Sequence, residues 1–156
     1  IFIILIKNNN LELLMTKVNG NEDSCIEIIR HYIKDLSFEN PQSIEENNLD
    51  NHKNSNIYQN MSFVHKPFKN NFFSVTLKYS CDCSSKKTGN KLLVFELDYF
   101  GFFKVLNYKT YNQADLTKAG AKLILPFVRS IIEDITDKGG SIKITLKDVD
   151  FDLIKN

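Results

Sequence analysis

The sequence predicts an α+β protein: a four-stranded antiparallel sheet, then a long kinked helix and a short C-terminal helix. Between residues 25 and 106, several stretches alternate apolar and polar residues with the period of two that half-buried strands show. After Tyr111 the apolar residues recur at helical spacing instead. Strands that precede a helix in this order are typical of an antiparallel sheet covered by helices.

Length and charge limit the classes of protein. A chain of 156 residues is long enough for one domain with a sizeable core. The formal net charge is +1 and 25% of the residues are charged, which is ordinary for a soluble globular protein. Because no basic cluster stands out, we expect no nucleic-acid partner.

The amino-terminal region is set apart from the domain. We interpret residues 1–24 as a disordered or spurious extension and residues 25–156 as the folded domain. The apolar run IFIILI is too short for a bilayer, which requires about 20 residues, and Asn8 to Asn10 end it. An upstream extension, with the natural start near Met15, and a short membrane-surface anchor both fit. We expect no stable membrane insertion.

The first two predicted strands cover residues 25–38 and 57–64. An irregularity is expected near Arg30, and Pro41 ends the first strand because proline removes a ladder donor. The segment 65–67, His-Lys-Pro, is expected to break the second strand. Four residues of that second strand share one face: Ile57, Gln59, Met61 and Phe63.

The third and fourth predicted strands, residues 72–81 and 92–106, form a hairpin around a turn at residues 82–90. Gly101 lies among aromatic residues, so we expect either a bulge or a close backbone approach there. The helix is predicted at residues 115–138, kinked or divided by Pro126 and ended by Gly139 and Gly140. After an extended segment at 142–149, Asp150 is expected to cap the short C-terminal helix.

The sequence indicates no enzyme and no catalytic residue. It contains no zinc-protease motif, nucleophile elbow or glycine-rich phosphate loop. His31 is interpreted as a strand-face residue. The odd cysteine count (Cys25, Cys81 and Cys83) without a secretory signal predicts free thiols in a reducing compartment, the cytoplasm. No zinc spacing is present, so we expect no metal site and no cofactor.

Two carboxylate pairs stand out on the predicted strands. Asp35 and Glu39 are four residues apart on the first strand, and Glu96 and Asp98 are two apart on the fourth, so each pair points to one side. Acid–base catalysis by such pairs needs a pocket or perturbed pKa values, which the sequence does not indicate. A solvated strand face and a flat acidic face that docks a basic partner both fit the pattern.

Five segments, in order, resemble the SecB family of export chaperones from about Cys25 to the end of the chain. They are IRHYIKDLSFENP, SVTLKYSC, LLVFELDYFGFFKV, AGAKLILPFVRSII and VDFDLI. The resemblance implies a cytosolic homotetramer, a dimer of dimers, that holds secretory precursors unfolded and delivers them to the SecA motor. It requires no cofactor, and any zinc would belong to the SecA tail.

The resemblance also implies two sets of binding residues. Those expected to receive the basic tail of SecA are Asp35, Glu39, Val94 and Glu96. Those expected to form the groove for unfolded client peptides are Ile57, Met61, Phe63, Phe151 and Leu153. An alternative is a SecB-like chaperone dedicated to an antitoxin of a toxin–antitoxin system. A more distant alternative is an α+β enzyme, which would need a convergent polar pocket.

Overall fold

Five antiparallel strands and one long helix make up the described part of the chain. This computed structural model describes residues 15–17, 25–41, 54–106, 111–140, 142–146 and 148–151. The elements are β1 (Met15–Lys17), β2 (Cys25–Glu39), β3 (Ser55–Pro67), β4 (Phe72–Ser85), β5 (Lys91–Val105) and α1 (Gln113–Lys138).

The strands form one sheet in the order β1-β2-β5-β4-β3. β1 pairs only with the first three residues of β2, whereas β2, β5, β4 and β3 pair along most of their lengths. β3 pairs with β4 alone and is therefore an edge strand within the described residues. The structure confirms the antiparallel sheet followed by a helix, and β1 adds a short strand inside the segment set apart above.

The helix covers one face of the sheet, here called the inner face; the opposite face is called the outer face. Alternation along β4 and β5 sends every second side chain into the core between sheet and helix. Largely buried side chains of the sheet at this interface are Ile26, Phe73, Val75, Leu77, Phe95, Leu97 and Phe103. Those of α1 are Leu116, Ala119, Leu123, Ile124, Val128 and Ile132.

Two glycines allow α1 to approach the sheet closely. A Cβ atom on Gly101 of β5 would lie 2.6 Å from Cζ of Phe103 and 2.9 Å from Cγ2 of Ile124. A Cβ atom on Gly120 of α1 would lie 2.9 Å from Cγ2 of Val75. Gly101 remains in register with its neighbours, so of the two expectations for this residue the close approach is correct and the bulge is not.

Both ends of α1 are tied to the rest of the fold. Asn112 caps the first turn by accepting a hydrogen bond from the backbone N–H of Asp115 at 2.8 Å. At the other end, the Asn40 side chain donates to the carbonyl oxygen of Gly139 at 2.9 Å, which links the end of β2 to the helix C-terminus. The buried hydroxyl of Thr136 accepts from the N–H of Ile144 at 3.0 Å and fixes the returning chain.

Several predicted boundaries differ from the structure. The expectation that residues 65–67 break the second strand is wrong, since β3 continues through Pro67. An edge strand tolerates proline because its missing N–H need not serve a second neighbour. β4 likewise continues to Ser85, so the turn after it is shorter than predicted. α1 is not divided at Pro126, and its kink stays a prediction. The predicted C-terminal helix lies mostly outside the described residues.

Two histidines lie on the inner face in one row across the sheet, where His31, Gly101, Val75 and His65 are paired in register. Nδ1 of His31 lies 2.6 Å from the hydroxyl of Tyr99, and its ring is 4.3 Å from that of Phe127. Nδ1 of His65 lies 3.2 Å from the hydroxyl of Thr117. Burial between sheet and helix lowers the pKa of both histidines below the usual value of 6.5.

We expect the substitution Gly101→Ala to lower the free energy of unfolding by about 1–3 kcal/mol, because the new methyl group overlaps the buried Phe103 ring. This cost exceeds the gain of up to about 1 kcal/mol that alanine has over glycine within a strand. Urea denaturation measures the difference. Ser62→Ala on the exposed side of β3 is the control, with an expected change within about 0.5 kcal/mol. Equal midpoints for Gly101→Ala and the wild type would contradict the close approach.

We expect stability to fall as the pH decreases below about 6.5. The unfolded chain takes up protons on His31 and His65 near that pH, whereas the folded protein resists protonation until the lowered folded-state pKa is reached. The double variant His31→Gln/His65→Gln should therefore lose less stability than the wild type between pH 7 and 5. Thermal unfolding across this range measures the difference, and parallel curves would exclude the two histidines as its source.

Candidate docking face and client groove

The outer face of the sheet divides into two halves of different chemistry. Residues paired in register across antiparallel strands project to the same side, so each cross-strand row can be assigned to a face. The rows on the half near the end of β2 form the acidic half: Asp35–Asp98–Lys78–Ser62, Ser37–Glu96–Ser80–Asn60 and Glu39–Val94–Asp82–Tyr58.

A β-bulge in β2 determines which side chains reach the acidic half. The register shifts between Ile33, which pairs with Tyr99 on the inner face, and Asp35, which pairs with Asp98 on the outer face. The extra residue, Lys34, changes the phase of the alternation, and without it Asp35 would project inward. A second shift between Ile28 and Arg30 confirms the irregularity predicted near Arg30.

The four residues predicted for a basic partner share this acidic half. Ser37 lies opposite Glu96 and Glu39 opposite Val94, while Asp35 faces a further carboxylate, Asp98. The side chains of Asp35, Glu39 and Glu96 are exposed, and Val94 is half-buried beside them. The structure therefore brings together residues that lie more than fifty positions apart in sequence.

Part of the negative charge on this half is neutralised within the sheet. Lys78 forms an ion pair with Asp98, and Lys91 forms one with Asp82. Within the described residues Asp35, Glu39 and Glu96 form no ion pair, so three carboxylates are left to attract a cationic partner. Exposed pairs such as these two add little to stability, so their main effect here is on the local potential.

A shallow depression marks the centre of the acidic half. It has a volume of about 340 Å³, and Asp35, Glu96 and Asp98 contribute its carboxylates. Lys78 lies at the same depression and supplies its positive charge. A basic side chain entering it would meet carboxylates from two neighbouring strands.

The predicted groove residues of β3 lie on the inner face of the sheet, along its edge. Ile57 pairs with Cys83, Met61 with Tyr79 and Phe63 with Leu77, which confirms that these β3 side chains share a face. Ile57 is 43% exposed, whereas Met61 and Phe63 are half-buried against the core. These three residues form an apolar strip that is covered at the Phe63 end and open at the Ile57 end.

The C-terminal segment forms the other wall of this strip. The ring centroids of Phe151 and Phe63 lie 6.1 Å apart. Nζ of Lys122 lies 5.5 Å from the centroid of the Phe151 ring. Beside Met61 there is an open depression of about 200 Å³. Its lining residues are Gln59, Asn60, Met61, Tyr79, Leu146, Asp148 and Val149.

Sequence reasoning missed part of this groove. Tyr79, Leu146 and Val149 line the depression, although the sequence gives no local sign that the segment after α1 returns to β3. Tyr79 is further fixed by donating a hydrogen bond to the Gln59 side chain at 3.0 Å. Leu153, predicted for the same groove, lies outside the described residues.

The described residues offer no group of three or more His, Cys, Asp or Glu side chains arranged to hold a metal ion. Cys81 and Cys83 are buried free thiols, and burial raises the pKa of both. No helix among the described residues is long and apolar enough to cross a membrane.

An acidic face and an apolar groove on opposite sides of one sheet are the surfaces of a protein-binding module. Comparison with known proteins identifies its family: the profile described as "Preprotein translocase subunit SecB" matches residues 19–155. The chain belongs to the SecB family, as its sequence predicted.

Individual relatives agree with this assignment. The protein-export protein SecB of Xanthobacter autotrophicus is 33% identical over 135 residues, covering 84% of this chain and 83% of the relative. That of Rhizobium meliloti is 32% identical over 146 residues, covering 87% and 83%. The fold is similar to that of the Mycobacterium tuberculosis SecB-like chaperone in complex with a HigA1 antitoxin peptide, with a TM-score of 0.61 at 9% identity, covering 80% of this chain and 91% of that one.

Proposed function

We propose that this chain is a protein-export chaperone that binds unfolded secretory precursors, keeps them competent for translocation and delivers them to SecA. Its membership of the SecB family and the export names of its relatives support the general role. The observation that carries the delivery step is the cluster of unpaired carboxylates on the acidic half of the outer face. No chemical step is required, because holding a chain is a binding equilibrium.

The acidic half suits a basic, extended tail. Asp35, Glu39 and Glu96 are exposed and belong to two neighbouring strands, so a tail can lie across the sheet and meet them in turn. Val94 supplies an apolar contact beside Glu39. In this proposal zinc belongs to the SecA tail, and the chain itself needs no cofactor.

Charge reversal on the acidic half tests the docking proposal. Asp35→Lys and Glu39→Lys should each weaken binding of the zinc-loaded C-terminal tail of SecA by roughly 10- to 100-fold, because like charges then face each other across the interface. Titration calorimetry with the purified protein measures the affinity.

Glu27→Lys is the matched control for the docking experiment. Glu27 lies on β2, as Asp35 and Glu39 do, and its pairing with Lys104 places it on the same outer face. It lies at the opposite end of the strand from Glu39. We expect its affinity for the SecA tail to stay within about threefold of the wild type, since the two ends lie more than a Debye length apart. If all three variants lost the same affinity for the SecA tail, the effect would come from net charge, and the proposed docking face would be wrong.

Clients would bind in the groove between the inner face of β3 and the returning segment that includes Val149 and Phe151. Met61 lies between the open end at Ile57 and the covered end at Phe63 and borders the depression of about 200 Å³. Its flexible thioether side chain adapts to varied apolar residues of an unfolded chain. The open edge of β3 also offers backbone groups to an extended peptide. A long client would occupy several such grooves and gain affinity from avidity.

The groove is tested by Met61→Asp, which should weaken binding of an unfolded client at least tenfold by placing a charge in an apolar site. Ser62→Asp introduces the same group at the next residue, which projects to the outer face, and should leave client binding unchanged. Suppression of aggregation of a reduced, unfolded client measures both. If the two variants behave alike, clients bind elsewhere.

A homotetramer, arranged as a dimer of dimers in the cytoplasm, completes the proposal. Beyond the three residues paired with β1, the edge of β2 has no strand partner within the described residues. Ile29 and Ile33 on this strand are 40% and 45% exposed, which is typical of surfaces that associate. The free thiols of Cys81 and Cys83 suit a reducing compartment.

A chaperone dedicated to an antitoxin remains the alternative assignment. The groove would serve either client, whereas the exposed carboxylates of the acidic half favour delivery of the client to a basic partner. Loss of SecA-tail binding with retained client binding in Glu39→Lys therefore supports export, and absence of SecA-tail binding in the wild type supports the alternative.

A further inference from the structure

The second half of the outer face carries exposed aromatic rings and cations. Its rows are Glu27–Lys104–Phe72, Arg30–Phe102–Ser74–Lys66 and Tyr32–Phe100–Thr76–Val64. Together with Phe68 and Lys69 of the adjoining β3–β4 turn, these residues form what we call the aromatic half. It lies at the end of the sheet opposite the acidic half, so neither the docking proposal nor the groove uses it.

The aromatic side chains of this half form a packed layer on the outside of the sheet. Phe72 stacks on Phe102 at 5.3 Å between ring centroids, and Phe68 meets Phe102 edge-on at 5.4 Å. Ser74 and Thr76 lie on the same face and are buried. Because α1 covers only the inner face, the neighbouring side chains of the outer face must exclude water from Ser74 and Thr76.

Cations surround the rings. Nζ of Lys104 lies 5.7 Å from the Phe72 ring centroid, and the guanidinium carbon of Arg30 lies 5.3 Å from that of Tyr32. Neither cation forms an ion pair within the described residues, and the same holds for Lys66 and Lys69. Glu27 is the carboxylate in these rows, opposite Lys104. The charge of the aromatic half is therefore positive, in contrast to the acidic half.

The β3–β4 turn presents one ring at the end of the sheet. Phe68 is 51% exposed and lies between Lys66 and Lys69 in sequence. Its N–H donates to the carbonyl oxygen of Phe72 at 2.8 Å, which closes the turn. Asn70 and Asn71 adopt positive φ angles of 59° and 64°, a conformation that asparagine tolerates well. Phe68 is thus held at the tip by backbone structure.

We propose that the aromatic half is a peripheral docking surface for a bilayer that contains anionic lipid. An aromatic ring at a turn, flanked by lysines and backed by further rings and cations, matches the headgroup region, where aromatic side chains and basic residues are favoured. Unpaired cations supply the attraction to anionic headgroups. The protein lies on the membrane through this end and does not cross it. This inference is independent of SecA binding.

Binding of the full chain to lipid vesicles tests the proposal. Vesicles of equal parts phosphatidylglycerol and phosphatidylcholine should sediment the protein at low salt, and vesicles of phosphatidylcholine alone should not. Raising the salt concentration should weaken the binding. Lys66→Ala/Lys69→Ala should lower the partition coefficient roughly 30-fold, from the loss of two cations near the surface. Phe68→Ser should lower it roughly tenfold.

Lys86→Ala/Lys87→Ala is the matched control. It removes two exposed lysines from the other hairpin turn, between β4 and β5, at the acidic end of the sheet. We expect unchanged vesicle binding in this control and unchanged circular dichroism in all variants. Absence of vesicle binding, equal binding to neutral vesicles, or an equal loss in the control would overturn the proposal. So would selective binding of an acidic, phenylalanine-containing peptide without vesicle binding, which would assign the surface to a protein partner.

Discussion

The close contact of α1 with one face of the sheet is the constraint on which the other surfaces depend. Gly101 and Gly120 allow the helix and the sheet to approach until Ile124, Phe103 and Val75 are in contact. This contact buries most of the apolar side chains of the inner face. The outer face is then free of any helix within the described residues. Along the edge strand β3, α1 contacts His65 through Thr117, whereas Ile57 at the other end of the strand stays 43% exposed. The acidic half and the candidate groove thus both depend on which face of the sheet α1 covers.

The two register shifts in β2 determine which of its side chains reach the outer face. Each shift inserts one residue and exchanges the inward and outward sets of side chains. His31 and Ile33 consequently face inward between the shifts, while Asp35 and Glu39 face outward after the second. If β2 had kept the phase of His31 and Ile33 without the second shift, Asp35 would have faced the core, where an unpaired carboxylate is costly. The bulge at Lys34 is therefore as important to the acidic half as the carboxylates themselves.

The sequence predicted the features that depend on local pattern. Alternation in β4, the helical period after Tyr111 and the glycine pair after Lys138 located the strands and α1 well. The shared side of Asp35 and Glu39 followed from their spacing alone, because no shift separates them. Their position beside Glu96 and Val94 came from the family resemblance, since cross-strand pairing depends on contacts far apart in the chain.

What the sequence did not predict depends on such distant contacts. Pro67 was expected to stop a strand, yet at a sheet edge its missing N–H has no cost. Leu146 and Val149 gave no sign of reaching Met61, because the fold and not the local pattern brings that segment back to β3. The sequence also did not predict which lysines pair with Asp82 and Asp98. Lys78 reaches Asp98, and Lys91 reaches Asp82, only because of the register of the β4–β5 hairpin.

The opposite charges at the two ends of the outer face need not cancel. Arg30 and Glu39 lie nine residues apart on β2, which at about 3.3 Å per residue places them about 30 Å apart. The Debye length at physiological ionic strength is about 8 Å, so charges at the far ends of the two halves are screened from each other by several Debye lengths, although the halves adjoin at the Tyr32 and Asp35 rows. A basic tail bound near Glu39 therefore experiences little repulsion from Arg30 or Lys104, and an anionic surface at the β3–β4 turn experiences little from Glu39. The near-neutral net charge of the chain is therefore the sum of two local fields of opposite sign, one at each end of the outer face, and these fields suit partners of opposite charge.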